Sequence, residues 1–175
     1  MAEFGYHTIG GTSGAEGPST LDGTRFTLSE AGDVTSVSVY CANLSASVTP
    51  AFRTAIYDVS AGEPNALKGT GAEVELAVSA PAAWRESALT VSLAAGDYYL
   101  CVWTDTDGAQ FEAYWDGGAT ERYRTATYHS TNPAPDPFGS ASTGSAKLSI
   151  FATYTPSAPP GPPGDRIIQV RAAFW

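Results

Sequence analysis

The stretch Gly96-Asp97-Tyr98-Tyr99-Leu100-Cys101-Val102-Trp103 constrains the fold more than any other part of the chain. After a Gly-Asp turn it runs through aromatic and branched side chains without a formal charge, the composition of a β-strand. Alternation puts Tyr98, Leu100 and Val102 on one face and Tyr99, Cys101 and Trp103 on the other. A strand apolar on both faces cannot lie at a wet edge. It has to be central, with its second face covered by another layer, a loop, a ligand or a partner.

The flanking sequence supplies partners for such a strand. Val37, Val39 and Cys41 alternate with Ser36, Ser38 and Tyr40, the pattern of a half-buried strand over 35–42. The same logic predicts strands at 4–9, at 25–28 with Phe26 and Leu28 inward, and at 51–57. It predicts others at 73–78 with Val74, Leu76 and Val78 inward, and at 88–93 with Leu89, Val91 and Leu93 inward. A strand at 111–115 is expected to stop at Asp116-Gly117-Gly118. The segment 122–128 reads as strand or loop. The last strand, 147–154, points Leu148, Ile150, Ala152 and Tyr154 to one side. Between them, 10–14 reads as a loop, 59–72 as turn-rich, and 132–139, with Pro133, Pro135 and Pro137, as a surface loop. No segment repeats its apolar residues at a helical period. The expectation is an all-β, antiparallel β-sandwich, jelly-roll-like first and immunoglobulin-like second.

With 43% hydrophobic and 15% charged residues the chain has the composition of a compact protein. Its net charge of −9 and the lack of any basic run disfavour nucleic acid as a partner. No apolar run approaches the ~20 residues of a membrane helix, and residues 1–5 lack the features of a signal peptide. Read this way, the chain is made and folded in a cytoplasm. Cys41 and Cys101 both fall within expected strands. They are either two buried thiols or, if adjacent across the sheets, a bridge closing a loop of about 60 residues.

Composition divides the chain into a sandwich over 1–155, a Pro/Gly-rich spacer over 156–165 and an apolar segment over 166–175. The spacer favours an extended polyproline conformation. In the apolar segment Ile167, Ile168, Val170, Phe174 and Trp175 form a surface that a free monomer would leave exposed. Burying it roughly offsets the entropy of ordering the segment, and pairing with a sheet edge adds backbone hydrogen bonds. The expectation is a docking strand that binds a neighbouring subunit, with docking on its own domain as the alternative.

Chemistry is sparse. His7 and His129 stand 122 positions apart, outside any metal-ligand spacing, and no Gly-x-Ser-x-Gly elbow is present. Asp105/Asp107 and Asp97/Asp116 read more simply as turn residues than as calcium ligands or acids. No catalytic residue, cofactor or metal is expected. Trp103, Tyr114, Trp115, Tyr123 and Tyr128 cluster near polar turns and are candidates for stacking on sugar rings, with core packing as the alternative role.

Phe4-Gly5-Tyr6, Ile9-Gly10-Gly11, Phe26-Thr27-Leu28, Ala55-Ile56-Tyr57-Asp58, Ala95-Gly96-Asp97-Tyr98-Tyr99-Leu100 and Trp103, taken together, resemble β-sandwich modules of bacteriophage virion proteins and of secreted bacterial proteins. The likeness spans residues 4–155. It implies a non-catalytic accessory or appendage module and assigns no functional residue. The expected role is a virion structural protein, a capsid decoration or tail-associated subunit assembled in the host cytoplasm. Its partners would be further copies or capsid and tail proteins. The alternative is a carbohydrate-binding or adhesion module, secreted or at a cell surface.

Overall fold

The computed structural model describes residues 1–157. The apolar segment 166–175, with Ile167, Ile168, Val170, Phe174 and Trp175, and the spacer from 158 onward lie outside the described residues. In chain order the first six strands are β1 (Ala2–Gly5), β2 (Thr12–Ala15), β3 (Thr20–Leu28), β4 (Gly32–Asn43), β5 (Ala51–Ser60) and β6 (Glu63–Thr70). The next six are β7 (Val74–Glu75), β8 (Ala83–Leu93), β9 (Gly96–Thr104), β10 (Phe111–Thr125), β11 (Ser142–Leu148) and β12 (Ile150–Pro156). A single 3₁₀ turn, Gly108–Gln110, is the only helical element among the described residues. All strand pairs are antiparallel.

The protein is an all-β, antiparallel sandwich. One layer runs β1-β12-β4-β8, and the other β3-β9-β5-β6. Neighbours within each layer are mostly distant in sequence, the jelly-roll-like arrangement. Strand β10 joins the layers: Phe111–Ala113 pair with Asn43–Cys41 of β4, and Glu121–Thr125 pair with Thr24–Thr20 of β3. Glycines at 117 and 118 do not end this strand. They mark a register shift between Gly117 and Glu121 that lets it bend from one layer to the other.

The main core lies between the layers. Val34, Val37, Val39, Cys41, Ile150, Ala152 and Tyr154 face Leu28, Phe52, Ile56, Tyr98, Leu100 and Val102 across it. Leu148, Ile150, Ala152 and Tyr154 keep their common inward face, although the chain is broken into β11 and β12 at Ser149. Strand β9 lies between β3 and β5, in the central position its sequence demands. Its second face carries Tyr99, Cys101 and Trp103 into a separate core with Leu21, Ala55 and Tyr57.

That second core is covered from within the chain. Ala126, Ala134 and Phe138, on the long connection between β10 and β11, are buried against it. The proline-rich run 132–139 is therefore a lid and not merely a surface loop. Phe138 packs edge-on against Tyr57 at 5.0 Å between ring centroids. Backbone groups that prolines and turns leave unpaired are taken up by the sheet: Tyr57 Oη donates to the Pro135 carbonyl (2.7 Å), and the Phe138 N–H to the Asn65 carbonyl (2.9 Å). Arg53 bonds the His129 and Asn132 carbonyls from below.

Other local readings shift for equally physical reasons. The Gly-rich 10–14 stretch runs into β2 from Thr12, because its backbone pairs with β10 despite lacking large apolar side chains. The turn-rich 59–72 stretch contains β6, an edge strand with register shifts against β5. Val74 and Leu76 point inward, but Val78 is 48% exposed because β7 ends at Glu75. Strand β12 continues through Pro156, and Ser157 donates its N–H to the Ala31 carbonyl (2.8 Å), so the folded body extends past residue 155. Cys41 and Cys101 are free thiols in opposite cores, one on each side of the central layer, and cannot bridge.

Candidate binding cleft

Where β10 crosses between the layers they part, leaving a cleft of about 650 Å³. Strand β3 contributes Thr20 and Asp22, β10 contributes Trp115, Glu121 and Tyr123, and β11 contributes Ser142 and Gly144. Alternation along β3 turns Asp22 away from Leu21, which belongs to the second core. Two glycines set the geometry. A Cβ at Gly23 would lie 2.2 Å from Cys101 Sγ, so β3 reaches its place on β9 only without a side chain there. A Cβ at Gly144 would lie 1.8 Å from Glu121 Oε2, so that glycine makes room for the carboxylate.

Three acids converge on the cleft: Glu16, Asp22 and Glu121. Asp22 is only 5% exposed, and its Oδ1 has no hydrogen-bond partner. Glu121 accepts the Ala146 N–H through Oε2 at 2.8 Å. Burial, then the charge of Glu121, push the half-buried Glu16 carboxyl up to about 7. Burial and then the charges of Glu16 and Glu121 hold the Asp22 carboxyl well above the usual range. Ion pairs of lysine and arginine among the described residues lie elsewhere, at Arg25–Asp97, Lys68–Asp58 and Arg122–Glu63. Burial among like charges favours the protonated forms of Glu16 and Asp22. They can hydrogen-bond hydroxyl groups, or release a proton and accept a cation.

The sugar-stacking candidates do not share one site. Trp115 and Tyr123 line the cleft, Tyr123 at 40% exposure and Trp115 half-buried beside Gly14. Trp103 is fully buried and donates its Nε1–H to the Ala126 carbonyl (3.0 Å), so its ring presents no face to a ligand. Tyr128 packs on Trp103 at 4.9 Å and donates its hydroxyl to Glu73 (2.7 Å), helping to seat the lid. Tyr114 belongs to a third place. It stacks edge-on with Tyr40 at 5.0 Å, Tyr40 with Trp84 at 5.4 Å, and Trp84 with Phe151 at 4.9 Å. This half-buried aromatic row lies on the outer face of the first layer. Its sequence signal is Tyr40 alternating against Val39 and Cys41, opposite Trp84 in register.

The remaining polar candidates hold structure together. Asp105 accepts the N–H groups of Ala51 (2.8 Å) and Asp107 (2.9 Å), and Asp97 binds Arg25 and Thr27. Asp116 takes the Tyr6 hydroxyl (2.5 Å) and the Gly11 N–H (2.9 Å). His7 lies 3.2 Å from Glu3 and edge-on to Phe151. Among the described residues no group of His, Cys, Asp and Glu is arranged to hold a metal ion, and no helix is long and apolar enough to cross a membrane. Compared with known protein families and with curated proteins, the chain matches none.

Proposed function

We propose that the chain is a non-catalytic virion structural protein, a capsid decoration or tail-associated subunit, that assembles through the segment 166–175. One observation carries this reading. The sandwich covers both faces of its central layer with its own residues, down to the lid over Trp103, and therefore needs no partner to be complete. Large exposed hydrophobics of the described body are limited to Met1, Ile9, Leu44, Val78 and Tyr123. The densest remaining apolar run, Ile167, Ile168, Val170, Phe174 and Trp175, follows the proline spacer and is the natural point of attachment. Truncation after Ser157, which spares β12, is expected to leave the body folded by circular dichroism and to abolish incorporation into particles. Undiminished incorporation would overturn the reading.

A second reading, carbohydrate binding, is favoured by the cleft itself. Trp115 and Tyr123 offer ring surface beside the Thr20 and Ser142 hydroxyls and the acids. Trp115→Ala is expected to abolish saturable binding on a glycan array while leaving the far-UV circular dichroism and the cooperativity of unfolding of the body intact. An array on which the native protein binds nothing counts against this reading.

A further inference from the structure

Among the described residues the acids of the cleft have no cation to answer them. Every lysine and arginine of the described residues makes a contact elsewhere. Arg25, Lys68 and Arg122 lie on Asp97, Asp58 and Glu63. Arg53, Arg85 and Arg124 donate to backbone carbonyls. Lys147 sits 4.0 Å above the Tyr6 ring. Arg124 borders the cleft, but its guanidinium is held by the Phe138 and Thr125 carbonyls. Asp22 thus remains buried, with one oxygen unpartnered, between Glu16 and Glu121. Such a group is costly unless something supplies a hydrogen bond or an opposite charge.

Two cations of the chain lie outside the described residues, Arg166 and Arg171. Arg166 follows Asp165, which offers it a counter-charge next door, whereas 166–175 contains no acid to serve Arg171. Arg171 is also set among Val170, Ala172, Phe174 and Trp175, an apolar context matched by Trp115 and Tyr123 at the cleft. A planar guanidinium suits such a recess, since it binds carboxylates through a fork of donors and stacks on aromatic faces.

We propose that the cleft receives the Arg171 side chain of a second copy, with Asp22, Glu16 and Glu121 as its acceptors and Trp115 and Tyr123 as its walls. This rests on the reading of 166–175 as an assembly segment and names where that segment docks. The contact is heterologous: each copy gives a segment and offers a cleft. On docking, Glu16 and Asp22 give up the protons that burial favours on them, and those protons pass to buffer.

The test uses the full chain and complementation. Light scattering should show the mass of the native protein rising with concentration. Arg171→Gln, lacking the donor, and Asp22→Asn with Glu121→Gln, lacking the acceptor, should each associate at least tenfold more weakly. Mixing the two variants should restore a hetero-pair, because one intact segment then meets one intact cleft. Glu16→Gln serves as a second acceptor variant should the Asp22 change disturb folding, judged by near-UV circular dichroism. A native protein that stays monomeric overturns the inference and leaves attachment to a different virion protein to the incorporation test. Acceptor variants that associate normally, while truncation after Ser157 abolishes association, overturn the cleft as the site and leave the segment's role standing. Association that survives the truncation overturns both.

Discussion

Phe138→Ala is expected to destabilise the protein by about 3–5 kcal/mol, read as a lower midpoint in urea unfolding with little change in slope. Phe138 is fully buried although it lies on a proline-rich connection. Its ring meets Tyr57 edge-on at 5.0 Å and closes the core that holds Leu21, Tyr99, Cys101 and Trp103. Removing it takes away an aromatic side chain and also opens a cavity over the central layer. Hydrogen bonds from Tyr57 to Pro135 and from Trp103 to Ala126 depend on the same closure. Unfastening the lid should therefore expose Trp103 to quenchers before the body unfolds. For contrast, Val78→Ala, at a side chain 48% exposed, should change stability by less than about 0.5 kcal/mol. A Phe138→Ala protein as stable as that control would show that the connection merely rests on the sheet.

The lid marks the limit of what the amino-acid sequence makes legible. The central strand is readable because both of its faces are apolar, and a strand of that kind has only one place in a layered fold. That something covers Tyr99, Cys101 and Trp103 follows from the same residues. What covers them does not, because Pro133, Pro135 and Pro137 carry the local signature of a solvent loop whether or not Phe138 beside them is buried. The long β10 is obscured likewise, since Gly117 and Gly118 look like a turn until a partner strand on each side shows them to be a bend.

The cleft is less legible still. Glu16 sits in a Gly- and Ser-rich stretch, Asp22 next to Gly23, and Glu121 among threonine and arginine, and each alone reads as a surface acid. Only the pairing of β10 with β3, Tyr123 opposite Asp22, brings them into one recess. Of the aromatic candidates, spacing could not separate Trp103, in the core, from Trp115, at the cleft. Burial in a sandwich depends on which layer covers a face, and alternation reports only that a face exists.

Because the acids gather in that recess, the body should gain stability as the solution is made mildly acidic. A carboxyl raised on folding binds more protons in the native state than in the unfolded chain between its two pKa values. Stability therefore increases as pH falls through that window. For Glu16 the window runs from about 7 down to the ordinary glutamate value of 4.5, and on going from pH 8 to pH 5 it contributes on the order of 2 kcal/mol. Asp22, raised by burial and by its two acidic neighbours, acts with the same sign, and so does Asp105, raised chiefly by its own burial. Opposing groups act in a lower range. Glu63 is held down by its bond to Arg122, Asp97 by Thr27 and Arg25, and Asp116 by the Tyr6 hydroxyl and the Gly11 N–H. Their stabilisation is present above the ordinary carboxylate range and is lost only as pH falls through their depressed values. Thermal or urea unfolding of the chain truncated after Ser157, followed from pH 8 to pH 3, should therefore reach its maximum near pH 5. Glu16→Gln should raise stability at pH 8 and flatten the slope between 5 and 8, because the amide needs no proton. A stability that falls steadily from pH 8 to pH 5 would mean that Glu16 and Asp22 are solvated or already neutralised. A full-length assembled chain should lose the acid-side gain in proportion to cleft occupancy, because a bound guanidinium stabilises the ionised acids that the empty cleft disfavours.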